Sequence, residues 1–174
     1  MQNKRGISQA FAAPAAAVEI RAASVFDVFA MSRVLLASIR DLCQAGHGGD
    51  AARIAEWTAN KTPEHIRSWI GGPGRYWLAE RGSEAAAVGG LNPDGTISLL
   101  CVAPAAAGRG TGAAMLDHLE AELLRSGHSE GRLNATRTAL DFYRKHGWRE
   151  AAAGGGCCGT PCIAMLKRLS CGLR

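Results

Sequence analysis

No apolar run in this sequence approaches the ~20 residues a helix needs to cross a bilayer, so no membrane partner is expected. No run of five Lys or Arg occurs either. The basic residues are scattered, and a net charge of +5 with a pI near 9.1 predicts only weak, non-specific attraction to nucleic acid. The N-terminal stretch MQNKRGISQAFAAPAAAVEI puts basic residues ahead of small apolar ones, but its apolar part is nearly all Ala with Pro14 inside. That is too weak for a secretory signal, and a cytoplasmic protein with reduced thiols is expected. Of the six cysteines, Cys157, Cys158 and Cys162 form a C-C-x-x-x-C cluster that lacks a fourth ligand and the usual zinc spacing, so no metal is expected. There is no internal repeat and no domain linker. A chain of 174 residues suits one core, with residues 1–17 as a loosely ordered tail and 18–170 as the domain.

What is present centres on Thr96 to Leu123. A β-type run, TISLLCV, enters a turn carrying Gly108, Gly110 and Gly112, and the turn opens into an amphipathic helix with the stripe Leu116, Leu119, Leu123. Glycine permits φ > 0 and lets a ligand approach the main chain. The helix presents unpaired N–H groups and the positive end of its dipole to whatever lies over the turn, which is a phosphate or pyrophosphate site. GRGTGA fits the dinucleotide pattern G-x-G-x-x-A, but no carboxylate stands at Leu133-Asn134-Ala135, where an NADP-type site needs one. The P-loop is excluded because no Gly-Lys-Ser/Thr follows.

Elsewhere, Val18–Arg21 alternates as a short strand, and Ser24 with Asp27 forms a capping box for a helix burying Val28, Met31, Leu35, Ile39 and Leu42, ended by Gly46, Gly48 and Gly49. Asp50 caps a second helix with Ile54 and Trp57. Thr62-Pro63 starts a third with Ile66, Trp69 and Ile70. Strands follow over Arg75–Glu80, Ala85–Leu91 and Thr96–Val102, then the 110–125 helix, a strand at Arg132–Ala135, and a helix from Thr136 or Thr138 through His146. A terminal strand pair covers Trp148–Ala153 and Pro161–Leu169.

Two motifs carry a family resemblance. Val102, Pro104, Gly110 and Gly112 follow V-x-P-x-x-R/Q-x-x-G-x-G/A, with Ala107 where Arg or Gln usually stands. TRTALDFYRKHGW, from Thr136 to Trp148, follows S/T/N-x-x-A-x-x-F-Y-x-x-x-G-F/W. In this order and separation they resemble the GNAT superfamily of N-acetyltransferases over residues 18–169. The resemblance implies a mixed α/β domain whose central β-sheet is split by a cofactor cleft and flanked by helices. It implies acetyl-CoA as cofactor and direct attack of an amine acceptor on the thioester, with a homodimer left open and no nucleic acid as partner.

The same resemblance supplies the site. The backbone N–H groups of Ala107, Gly108, Arg109, Gly110, Thr111, Gly112 and Ala113 would hold the pyrophosphate, with the Arg109 side chain either adding charge or pointing to solvent. Strand Thr96–Val102 would splay at a bulge, leaving main-chain groups of Leu100, Cys101 and Val102 for the pantetheine, with Asn134 and Thr136 opposite; Thr136 reads equally as a helix cap. Tyr143 would protonate the departing thiolate, or be a core Tyr. The family's usual Glu aligns with Ser98, which cannot act as a base. His47, Glu80, Asp94 and Asp50 remain, with His47 chosen as the catalytic residue from the segment Asp41–Thr62. Asp41 or Asp50 would attract a cationic small-molecule amine; a peptide N-terminus or lysine is the lesser alternative. The missing Glu and Ala107 also leave open a non-catalytic acyl-CoA-binding sensor.

Overall fold

Period-two alternation in the middle of the chain decides the architecture. The structure, a computed structural model, describes residues 17–151, 156–157 and 160–170. Strands β1 (Val18–Ala22), β2 (Arg75–Arg81), β3 (Glu84–Leu91) and β4 (Thr96–Val102) pair antiparallel in that order. Trp77, Ala79 and Ala87 point to one face while Leu78 and Val88 point to the other, so the sheet needs cover on both sides. One cover is α5 (Thr111–Arg125), whose Met115, Leu116, Leu119 and Leu123 are at most 1% exposed. The other is α1 (Val28–Leu42) with α4 (Pro63–Ile70). Gly89 lets α5 lie directly on β3: a Cβ there would sit 2.6 Å from Met115 Sδ.

The sheet continues past β4 with β5 (Glu130–Ala135), which runs parallel to β4; beyond it come β9 (Ile163–Arg168) and then β6 (Arg149–Glu150), both paired antiparallel. The short α6 (Leu140–Lys145) follows β5, then β6 (Arg149–Glu150), the small hairpin β7 (Gly156–Cys157) with β8 (Thr160–Pro161), and β9 (Ile163–Arg168). This is the mixed α/β sheet flanked by helices that the resemblance implied. Within the terminal pair, β6 is shorter than expected, and residues 152–153 of the expected strand lie outside the described residues.

Helix entry follows local chemistry. Ser24 accepts from the Phe26 N–H, and Asp27 returns to the Ser24 N–H at 2.8 Å, completing the capping box. Arg21 on β1 then clamps Asp27 through Nη1 and Nη2 at 2.9 and 2.8 Å, tying the first strand to the start of α1. Its guanidinium, with the Ser24 hydrogen bonds, holds the Asp27 carboxyl well below the usual carboxylate range. Asp50 caps α3 (Ala51–Thr58) by accepting from the Arg53 N–H at 2.8 Å, and Thr62 with Pro63 opens α4. The first helix departs from expectation at its end. It stops at Leu42, and a separate turn, α2 (Gln44–His47), precedes the left-handed Gly48. Leu42 is only half-buried, while Ser32 and Ser38 are buried instead. At the other end of the chain Cys162 is disulfide-bonded, a correction to the expectation of reduced thiols.

Candidate active site

The parallel pair β4–β5 holds for only two residues, Thr96↔Arg132 and Ile97↔Leu133. One residue later the strands separate. On the β3 side the register jumps from Leu91↔Ile97 to Gly90↔Leu99, which leaves Ser98 as the extra residue of a bulge. The position lacking the family's Glu is thus where β4 bends away. Main-chain groups of β4 beyond the bulge that do not point at β3 face a gap rather than a strand, and buried backbone polar groups need partners. The gap opens into a cavity of about 710 Å³, bounded by Ile97–Val102 on one wall and by Leu133, Asn134, Ala135 and Thr136 on the other.

The glycine turn closes one end. Gly108, Gly110, Gly112 and Ala113 line the cavity together with Ala107. Gly108 and Gly110 sit at φ +71° and +78°, and a Cβ on either would meet no protein atom within 4 Å. Gly110 is the N-cap of α5 with no side-chain cap, so the N–H groups of Thr111, Gly112 and Ala113 begin the helix without an intrahelical partner. Two residues of the expected pyrophosphate turn do not line the cavity. Arg109 is exposed, and Thr111 is fully buried with its hydroxyl turned to Arg81. Arg81, from the end of β2, donates through Nε to Thr111 Oγ1 at 2.9 Å and through Nη2 to the Arg109 carbonyl. It braces the turn from behind. Sequence reading missed it, because a hairpin-end Arg some 30 positions from the turn carries no local signal.

The opposite wall carries Phe142, Tyr143 and His146, which recur on one face of the helical turn. Tyr143 is 7% exposed, and among the described residues its hydroxyl has no hydrogen-bond partner. Burial, with the Cys101 thiol nearby, pushes its pKa well above that of a free phenol, so it remains protonated. The Cys101 thiol itself is pushed up to about 12 by burial and by Cys43, although Ser38 and Lys61 draw it back. It is therefore a neutral thiol and a poor nucleophile. Phe142 lies 3.6 Å from where a Gly112 Cβ would stand, and His146 packs on it with ring centroids 4.6 Å apart. His146 donates from Nδ1 to the Phe142 carbonyl at 2.8 Å and so belongs to the turn end of the cavity. Thr136 lines the cavity and is N-cap of the 3-10 turn before α6, without a side-chain cap bond.

The acceptor-side expectations need correction. His47 is 1% exposed and is not among the cavity-lining residues. Its Nε2 donates to the Ile39 carbonyl at 2.9 Å, its Nδ1 accepts from the Gly49 N–H at 3.0 Å, and its ring meets Trp57 edge-on. Both nitrogens are engaged in joining α1 to α2, so no lone pair is left for a substrate. The other candidate bases are also elsewhere. Glu80 pairs with Arg21, Asp94 accepts from the Thr96 N–H in its turn, and Asp50 caps α3. Away from the glycine turn the cavity is lined by Ser38, Ile39, Leu42, Cys43, Trp57 and Lys61. Among the described residues no Asp or Glu lines it, no group of three or more His, Cys, Asp and Glu is placed to hold a metal, and no helix is long and apolar enough to cross a membrane.

Comparison with known proteins agrees with this geometry. No curated protein matches the chain significantly. Among solved structures, a GCN5-related N-acetyltransferase from Rhodopseudomonas palustris superposes with a TM-score of 0.80 at 19% identity, covering 91% of this chain and 99% of that one. The PaiA N-acetyltransferase from Thermoplasma acidophilum, solved with coenzyme A, gives 0.71 at 18% identity over 87% and 99%. The ribosomal-protein-S18-alanine N-acetyltransferase from Escherichia coli gives 0.62 at 18% over 90% and 96%. At such identities these likenesses establish the fold. The acetyltransferase (GNAT) domain model matches residues 43–169, most of the chain, from the end of α1 through β9. The split sheet, the glycine turn and the Tyr-bearing helix are therefore those of a chain that belongs to the GNAT acetyltransferase family.

Proposed function

We propose that the chain is an acetyl-CoA-dependent N-acetyltransferase that moves an acetyl group directly to the amine of a small molecule. The observation that carries this reading is the parting of β4 from β5 immediately after Ile97↔Leu133, with the glycine turn and Tyr143 opening into the same gap. Free N–H groups at the start of α5 and the open space at Gly108 and Gly110 suit a pyrophosphate. The unpaired strand edge from Leu100 to Val102, facing Asn134, suits the amide-bearing pantetheine arm.

Bound acetyl-CoA supplies an activated carbonyl: the amine nitrogen bonds to its carbon while the C–S bond breaks and sulfur takes the electron pair. Tyr143, held protonated by burial, gives its proton to that sulfur. The acceptor nitrogen loses one proton to solvent as it becomes the neutral amide, and the phenolate recovers one from solvent. Main-chain N–H groups beyond the bulge stabilise charge on the carbonyl oxygen. Cys101, kept neutral, favours direct transfer over an acyl-cysteine intermediate. With no carboxylate lining the cavity among the described residues, the amine arrives already neutral. That same feature, with Ala107 in the turn, supports the second reading, an acyl-CoA-binding sensor without turnover. Calorimetry with acetyl-CoA, then thiol release with an amine panel, separates the two. Binding with release on at least one amine supports the enzyme; binding without release on any supports the sensor; no binding overturns both.

A further inference from the structure

The two ends of the cavity differ in charge. At the mouth, Ile39, Leu42 and Trp57 form apolar walls, and Lys61 is the only Lys, Arg, Asp or Glu lining the whole cavity among the described residues. Asp41 and Asp50, expected to attract a cation, are exposed and lie outside the lining. Lys61 is fixed in place. The buried Ser32 hydroxyl donates to its carbonyl at 2.7 Å, its ammonium donates to Asn60 Oδ1, and its Nζ lies 5.4 Å from the centre of the Trp69 ring. Lys61 and Cys101 line the same cavity, and the Lys61 charge draws the Cys101 pKa down, so its field reaches β4. A cationic acceptor would meet a like charge there. The same charge would attract an anionic group.

We infer that this mouth takes an apolar α-amino acid, with Lys61 holding its carboxylate and Ile39, Leu42 and Trp57 receiving its side chain; the inference rests on the acetyl-transfer reading above. Lys61 then acts twice. It pairs with the carboxylate, and its positive field together with that pairing lowers the pKa of the adjacent amine. More of the substrate is therefore neutral and nucleophilic, in a site with no carboxylate to remove the proton.

The test is thiol release from acetyl-CoA with matched acceptors: phenylalanine against phenethylamine, leucine against isoamylamine, and spermidine as a polycation. Each amino acid should exceed its decarboxylated partner by about tenfold or more in kcat/KM, as loss of one charge-assisted contact implies, with spermidine poorest. Lys61→Met should bring the pairs within about twofold and move the amine's pH limb upward, with acetyl-CoA affinity by calorimetry unchanged. Lys61→Arg should keep the preference. A parent that prefers phenethylamine or spermidine, a preference that survives Lys61→Met, or no amino acid turned over by protein that acetylates another amine overturns the acceptor assignment alone; binding of acetyl-CoA with no thiol release on any amine overturns the transferase reading with it. A parent that does not bind acetyl-CoA overturns the transferase reading as well.

Discussion

The two ends of the cavity are built from different material. The turn end is main chain: glycines at positive φ, helix N–H groups and an unpaired strand edge. The mouth is side chain: Ile39 and Leu42 from α1, Trp57 from α3 and Lys61 from the connection to α4, held together by buried struts such as His47 and Ser32. Main-chain recognition tolerates almost any side chain but demands particular backbone angles. A side-chain mouth tolerates backbone variation but depends on residues far apart in sequence. The turn end is therefore the more general device and the mouth the more particular one.

The sharpest way to break this contrast is at Gly110. We expect Gly110→Val to weaken acetyl-CoA binding by about three orders of magnitude. A Cβ over the turn, or a turn that relaxes away from φ +78°, forfeits two charge-assisted hydrogen bonds worth about 1.5–3 kcal/mol each. Gly127, just beyond the other end of α5, is the control, since it also has positive φ and open space around its Cβ position. Gly127→Val should cost about as much stability and leave acetyl-CoA affinity nearly intact. Equal affinity losses in the two variants, measured by calorimetry on folded protein, would mean that the turn acts only through global stability.

Next in size is Tyr143→Phe, which tests a side chain at the junction of the two ends. Removing a general acid costs about 10² in kcat, with acetyl-CoA affinity unchanged. Burial gives a second readout. Above about pH 10 the unfolded chain's phenol ionises while the buried one keeps its proton, so the parent loses stability as pH rises. Tyr143→Phe should remove its share of that alkaline slope. If kcat matches the parent while the slope changes, Tyr143 is a packing residue only.

The same division explains what was legible in the sequence. The strand–glycine turn–helix unit is local, so its residues alone point to a phosphate site. The same holds for the capping box at Ser24 and Asp27 and for the Thr62-Pro63 helix start, each a short-range hydrogen-bond pattern. Arg81, Lys61 and the fate of His47 were not legible. Arg81 reaches Thr111 across 30 positions, and Lys61 enters the cavity because Ser32 anchors its carbonyl across 29. His47 among glycines resembles an exposed loop residue. The unforeseen α2 turn buries it by bringing its ring under Ile39 and against Trp57. The bulge was expected from the resemblance, but its position at Ser98 is a property of the β3–β4 register, which a single strand's sequence does not carry.

His47→Ala carries the smallest expected effect on activity and decides what kind of residue stands behind the mouth. The ring is donor to the Ile39 carbonyl and acceptor from the Gly49 N–H, and its edge meets Trp57, which lines the cavity. Truncation leaves two backbone groups unpaired and a void beside the Trp. We expect a loss of about 2 kcal/mol, seen as a fall of about 4–8 °C in Tm for a chain of this size. Trp57 loosens rather than leaves, so KM for the amine should rise only about threefold, a cost of about 0.7 kcal/mol. The decisive measurement is the pH dependence of kcat/KM. A strut contributes no titrating limb, so the variant should keep the parent's profile, shifted only in height. A general base gives the reverse result: a lost acidic limb, kcat down by about 10² or more, and Tm little changed. That outcome would return His47 to the catalytic site and require the α1–α2 junction to open during turnover, exposing a nitrogen that is now bonded on both sides of the ring.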